Sequence, residues 1–310
     1  MEITWSTRPE LPGSSCGPNT QGRKRAASKH IENNEGRKRQ GRKCQAGNAL
    51  VSCGHFVIIV TSKHKGETMI KKLLDTAKKS GNTKVAKTGA KHSPLGDVRM
   101  AQLSMMPDNI LCAGSKAAGC MDDCLKSSGL AAVYKSVNKA RQSRTDYWHA
   151  DQFGFIEQIA RELRNFSKTC TKQKVKGVVR LNVLSDIAWE KHGIPQQFPE
   201  LFFYDYTKRA NRLGKTPPNY KLMFSYSARH QYRKQVLQAI CHDVPSAAVF
   251  KNGMPDEFLG REVIDGDQSD LWNVHAGKVV VGLKAKGPAK HNTNGFVVDM
   301  NAVPTFTVEA

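Results

Sequence analysis

Three cysteines stand close together in Leu111-CAGSKAAGCMDDC-Leu125: Cys112, Cys120 and Cys124, spaced C-x7-C-x3-C. Thiolates at such spacing can converge on one metal centre, because a short Gly/Ala/Ser loop can fold back around it. Three thiolates suit an iron–sulfur cluster with one iron left open. Zinc would want a fourth protein ligand, and the candidates Cys170, His149, Asp122 and Asp123 stand at no zinc-motif spacing. The plain alternative is three buried thiols near a helix start. Cys16, Cys44, Cys53 and Cys241 show no ligand spacing.

The elements that must position these thiols are short and apolar. Met100-AQLSMM precedes the cysteine loop. Gly177-VVRLNVLS, Leu201-FFYDYT, Tyr220-KLMFSYS, Pro245-SAAVF, Glu262-VID and Lys278-VVVGLKAK follow it. Near-continuous apolar runs alternating with helix-length segments predict a parallel sheet buried on both faces. Helices are expected at about 131–143, 147–166 and 231–242. The number of units suggests an α/β fold with a full or partial (β/α) barrel, with a doubly wound open sheet as the alternative.

In such folds ligands gather at the carboxyl ends of the strands. Here those ends are polar: Asn182, Ser185 and Asp186; Tyr206, Thr207 and Lys208; Ser225, Tyr226, Ser227 and Arg229; then Asp265, Asp267 and Asp270; and lastly Lys284 and Lys286. The cysteine loop is expected at the same rim. Each residue also has a simpler role: Asp186 could cap a helix near Ile187, and Asp265-Gly266-Asp267 could be only a turn.

The 310 residues are enough for one large domain or two small ones. Residues 1–68 are rich in Gly, Ser, Asn and basic side chains and read as a disordered basic extension. Lys65-Gly66-Glu67-Thr68 is what a purine-rich ribosome-binding stretch would encode. Met69 is therefore expected to be the natural start. Residues 69–99 are expected to hold a short helix, Met69–Lys79, with Ile70, Leu73, Leu74 and Ala77 at helical spacing, and then a linker. Residues 100–310 form the barrel-like domain.

The net charge is +21: residues 1–68 carry 12 Lys/Arg against 5 Asp/Glu, and the rest 36 against 22. A chain this basic can bind polyanions through counterion release, so a nucleotide or nucleic acid is the expected partner. No run of about 18 apolar residues offers a membrane span, and no secretory leader is expected. The eight cysteines are then expected in a reducing compartment, where clustered thiols read as metal or redox sites.

The Gly119-CMDDC end of the loop, Asn138 and Ala140-Arg141 in the following helix, Val179-RLNVLSD and Phe203-YDYTK together resemble the gene product eighty-eight family of bacteriophages. The likeness runs over about residues 100–290. That family in turn resembles radical S-adenosylmethionine proteins. The resemblance implies a 4Fe–4S cluster on Cys112, Cys120 and Cys124, with S-adenosylmethionine on the fourth iron. On this reading the polar strand ends are expected to serve it: Asn182, Ser185, Asp186 and Ser225 would contact the cofactor, and Tyr206, Lys208 and Asp267 would serve catalysis on the substrate side. The first cysteine gap is longer than the usual radical spacing, and no Gly-Gly-Glu segment follows the next strand. The protein would then act in the cytoplasm of the infected bacterial host. Two further readings stay open: a metal-stabilised nucleic-acid-binding protein that is no enzyme, and a zinc-assisted hydrolase using Asp265 or Asp267.

Overall fold

The computed structural model describes residues 70–76, 93–127 and 130–302. The basic extension, the expected start at Met69 and most of the expected linker lie outside the described residues. One mixed sheet of ten strands organises the chain, in the order β1-β2-β3-β4-β5-β6-β9-β8-β7, with β10 paired to β6. The strands are β1 (Asp75–Thr76), β2 (Val98–Gln102), β3 (Lys176–Arg180), β4 (Phe202–Thr207), β5 (Tyr220–Ser225), β6 (Ser246–Lys251), β7 (Glu257–Phe258), β8 (Arg261–Asp265), β9 (Val280–Lys284) and β10 (Val298–Asp299). Strands β2 through β6, then β9 and β8, run parallel, while β1 and β7 close the two edges antiparallel.

The sheet stays open, which corrects the expectation of a full barrel. Among the described residues, its edge strands β1 and β7 pair only with β2 and β8. Successive parallel strands add in one direction from β2 to β6, with no central reversal of order. Beyond Ser225 and Ala247, β5 no longer pairs with β6. There β10 pairs with the end of β6, Val298 opposite Phe250.

The helices are α1 (Ser115–Ala118), α2 (Leu130–Val133), α3 (Lys135–Ala150), α4 (Gln152–Gln173), α5 (Ile194–Gln197), α6 (Arg233–Ile240) and α7 (Asp270–His275). The boundary between the two long helices falls at Asp151 rather than near residue 145. The Asp151 carboxylate accepts the Gly154 N–H at 2.9 Å, and its own N–H bonds the Tyr147 carbonyl, so one residue ends α3 and starts α4.

Alternation along each strand sorts the core into two layers. Val179, Phe203, Leu222 and Phe224 meet Phe155, Ile159, Leu163 and Phe166 of α4 on one face. Val178, Tyr204, Met223 and Val281 meet Leu271 and Val274 of α7 on the other.

Residues Ile70–Leu74 are not helical, and the chain enters β1 directly. The Glu162 carboxylate accepts the N–H groups of Leu73 and Leu74, both at 2.8 Å, and Gln158 donates to the Ile70 carbonyl. Leu73 and Leu74 are both buried. Capture by α4 thus overrides the helical spacing.

Candidate metal and substrate site

The cysteine loop starts from a capped turn. Asp108 accepts the N–H groups of Ile110 and Leu111 at 2.8 and 2.7 Å, and its carbonyl accepts the Cys112 N–H. One helical turn, α1, then ends at Gly119 with φ 72°, the left-handed conformation that glycine takes without strain.

The carboxyl ends of the strands bind this loop through its carbonyls. Ser227 Oγ, just past β5, donates to the Ala118 carbonyl at 2.7 Å. Asn294 Nδ2 donates to the Gly119 carbonyl at 2.9 Å, and Arg229 to Lys116 at 3.1 Å. The Asp186 N–H bonds the Leu111 carbonyl at 2.7 Å, and Asn292 donates to the Asp123 carboxylate. The loop therefore lies across the ends of β3 and β5 and the segment before β10, at the rim where it was expected.

Cys112, Cys120 and Cys124 are all free thiols, half-buried. Burial pushes the Cys112 thiol far up, and the neighbouring Asp186, Cys120 and Cys124 add to the effect, while Lys208 opposes it. Burial also raises Cys124, against a backbone hydrogen bond from Lys126; Cys120 raises it further, and Lys126 and Lys208 lower it. The three thiols thus share one electrostatic neighbourhood with Lys208. Neutral, buried thiols are weak nucleophiles. A bound cation reverses that preference, because coordination deprotonates the sulfur. The donor set, three soft sulfurs, fits iron–sulfur or zinc chemistry. Among the described residues no group of three or more His, Cys, Asp or Glu side chains is arranged to hold a metal ion.

Lys208 is the basic group that acts on both Cys112 and Cys124. Its Nζ donates to Ser225 Oγ at 2.7 Å and stands 4.9 Å from the centroid of the Phe296 ring. Phe296 packs with Ala289 and Val297 in a small cluster that touches Cys120. Lys208 thus contacts Ser225 and lies within electrostatic reach of Cys112 and Cys124.

The family model for Gene product 88 matches residues 72–300, which spans every strand and helix described above and all three cysteines of the loop. The chain belongs to this family of phage gene products. No curated protein and no solved structure matches it.

The remaining site residues expected of this Gene product 88 chain take other places. Asn182 is nearly fully buried and uses its side chain inside the fold: Nδ2 donates to the Ile187 carbonyl and to Asp205, and Oδ1 accepts from Ser185 and the Ile187 N–H. Asp186 accepts from Thr207 Oγ1 at 3.2 Å, the Lys208 N–H at 2.9 Å and Arg212 at 2.5 Å. It ties β4 to the end of β3 and caps no helix. Tyr206 points to the opposite face and donates to Asp270 at 2.9 Å. Asp267 accepts from Lys286 at 2.6 Å and from the Lys284 N–H at 3.3 Å, beside β9.

Several groups escaped sequence reasoning. Arg212 is held between Asp186 and Glu190, with its side chain 3% exposed. Asp205 accepts from the Asn182 N–H and from Tyr220, and burial raises its carboxyl to about 7, against that backbone hydrogen bond, Arg180, Tyr220 and Arg212. Arg180 pairs with Asp270 at 2.9 Å on the other face. A charged residue inside the apolar runs FFYDYT and VVRLN was the available signal for Asp205 and Arg180. Asn292 and Asn294 carried none.

Proposed function

We propose that Cys112, Cys120 and Cys124 hold a 4Fe–4S cluster, and that the protein is a radical-S-adenosylmethionine-like phage enzyme acting on a nucleotide or nucleic acid in the host cytoplasm. The observation that supports this reading is that one loop at the carboxyl rim of an open parallel sheet carries three free, half-buried thiols, two of them within electrostatic reach of Lys208. In this reading the parallel run is an open partial barrel, and Cys112, Cys120 and Cys124 are the residues that would hold the cluster.

Three of the four candidates for a fourth zinc ligand are engaged elsewhere, while Asp122 is exposed on the loop. Cys170 is buried where a Cβ on Gly177 would meet its sulfur, at the amino end of β3. His149 pairs with Asp108 at 2.7 Å, and Asp123 is held by Asn292. A cluster held by these three thiols would supply one-electron chemistry to S-adenosylmethionine. The chain's own residues set the surroundings. Lys208 offsets the negative charge of the thiolates, Ser225 fixes its ammonium, and Phe296 shields it from water. Because Asn182 and Asp186 are engaged within the fold, Ser225 and Lys208 are the expected groups left to meet cofactor or substrate.

Electron paramagnetic resonance of the anaerobically reconstituted, reduced protein tests this reading. A cluster signal that changes when S-adenosylmethionine is added is expected. Protein that takes up zinc alone, or a signal indifferent to the cofactor, contradicts it.

The excess of 36 Lys/Arg over 22 Asp/Glu after residue 68 favours a second reading, a metal-stabilised nucleic-acid-binding protein with no enzymatic role. Cys120→Ala separates the two. The enzyme reading predicts loss of cofactor cleavage. The binding reading predicts salt-dependent nucleic-acid binding that survives in the folded variant.

A further inference from the structure

A cavity of about 410 Å³ opens at the carboxyl ends of β6 and β9, lined in part by Phe250, Lys251, Asn252, Met254, Lys284 and Lys290. Its volume falls within the roughly 300–1,000 Å³ of small-molecule sites. The backbone is shaped to make it. Asn252 and Gly253 take φ 61° and 123° directly after β6, turning the chain back on itself. Met254 then seats over Gly282 of β9, where a Cβ would lie 2.5 Å from the Met254 sulfur. Gly282 thus leaves the room that places a thioether on the cavity wall.

The cavity joins positive charge to an apolar wall. Lys251 is spoken for: its Nζ donates to the Asn292 carbonyl at 2.7 Å and pairs with Asp299 at 3.1 Å. Lys284 and Lys290 are exposed, and neither ammonium has a carboxylate partner among the described residues. Two unpaired cations at the mouth of one cavity favour an anion between them. The polarizable, half-buried Met254 offers an apolar face to a flat ring. A cavity of this size takes one nucleotide, not a duplex.

We propose that this cavity binds a nucleoside phosphate, with its phosphate between Lys284 and Lys290 and its base against Met254. Asn292 links the cavity to the cysteine loop, because its carbonyl holds Lys251 and its amide holds Asp123. The inference deepens the reading of a phosphorylated substrate, and its binding step needs no metal.

Calorimetric titration of the full chain at low salt tests it, with adenosine diphosphate and inorganic pyrophosphate as probes. Adenosine diphosphate is expected to bind. The double variant Lys284→Ala/Lys290→Ala should weaken it at least tenfold, and Met254→Ser should weaken it severalfold while leaving pyrophosphate unchanged. Lys278→Ala, at the opposite end of β9, should bind like the parent. A 5′-phosphorylated oligonucleotide that competes better than adenosine diphosphate names a strand end as the source; weaker competition names free nucleotide. Absence of binding, equal affinity in the double variant, or pyrophosphate binding as tightly as adenosine diphosphate overturns the proposal. Metal content measured on the same samples keeps the two readings apart: metal-free protein that still binds adenosine diphosphate overturns only the cluster.

Discussion

Gly114 packs directly on Lys208: a Cβ at Gly114 would stand 2.8 Å from the Lys208 Cβ and 3.6 Å from its carbonyl oxygen. This contact presses the first turn of the cysteine loop onto the residue after β4. The Lys208 backbone cannot yield easily, because Asp186 accepts its N–H and the Tyr232 hydroxyl donates to its carbonyl at 2.7 Å. Lys208, which acts on both Cys112 and Cys124, is thereby fixed against the loop that carries them.

Gly114→Ala should therefore lift the loop from β4. Gly114 has an ordinary right-handed backbone, so crowding rather than φ strain is the cause. The variant should lose about 1–3 kcal/mol of stability, the usual cost of overpacking, and should take up less metal. Thermal unfolding and metal analysis check both, and an alanine variant equal to the parent in each contradicts the packing account.

Arg212 is the second support. It donates to Asp186 at 2.5 Å, to Glu190 at 2.9 and 2.8 Å, and to the Tyr220 hydroxyl at 3.2 Å. Arg212→Leu leaves buried carboxylates without their cation and should cost about 3–5 kcal/mol. Arg212→Lys should recover only part of this, because one ammonium cannot span both acids. Urea denaturation reads the loss, and a leucine variant within about 1 kcal/mol of the parent would place the pair outside the stabilising core.

Asp205 gives the protein a pH dependence. Its carboxyl rises from 3.8 to about 7 in the folded chain, chiefly through burial. The folded state holds this proton more tightly than the unfolded state does. The stabilisation is therefore complete below pH 3.8 and is lost as pH rises toward about 7. Asp205→Asn cannot titrate, so the difference in stability between parent and variant should change across that window and be level above it. Denaturant unfolding at several pH values measures the difference, and a constant difference would refute the assignment.

Much of the sheet was legible because its central strands are buried on both faces. Runs such as FFYDYT and KLMFS can only be strands between two layers, and they became β4 and β5. The edges were not legible: β1, β7 and β10 are two residues long and owe their pairing to distant partners. Sheet closure is likewise a long-range property that no local pattern encodes. The helical spacing of Ile70, Leu73 and Leu74 misled because Glu162, far along the chain, takes their amides. At the site, the cysteine loop and Lys208 could be placed from strand ends alone. The role of Asn182 could not, since a polar side chain at a strand end looks the same whether it meets a ligand or braces a loop.

Iron and acid-labile sulfide per chain, measured after anaerobic reconstitution, test the central claim most directly. The parent should hold about four of each. Cys112→Ala, Cys120→Ala and Cys124→Ala should each lose most of them, while Cys170→Ala, buried at the far end of β3, and Cys241→Ala, exposed after α6, should keep the full complement. A parent that binds no iron, or a Cys120→Ala variant that retains it all, contradicts the account.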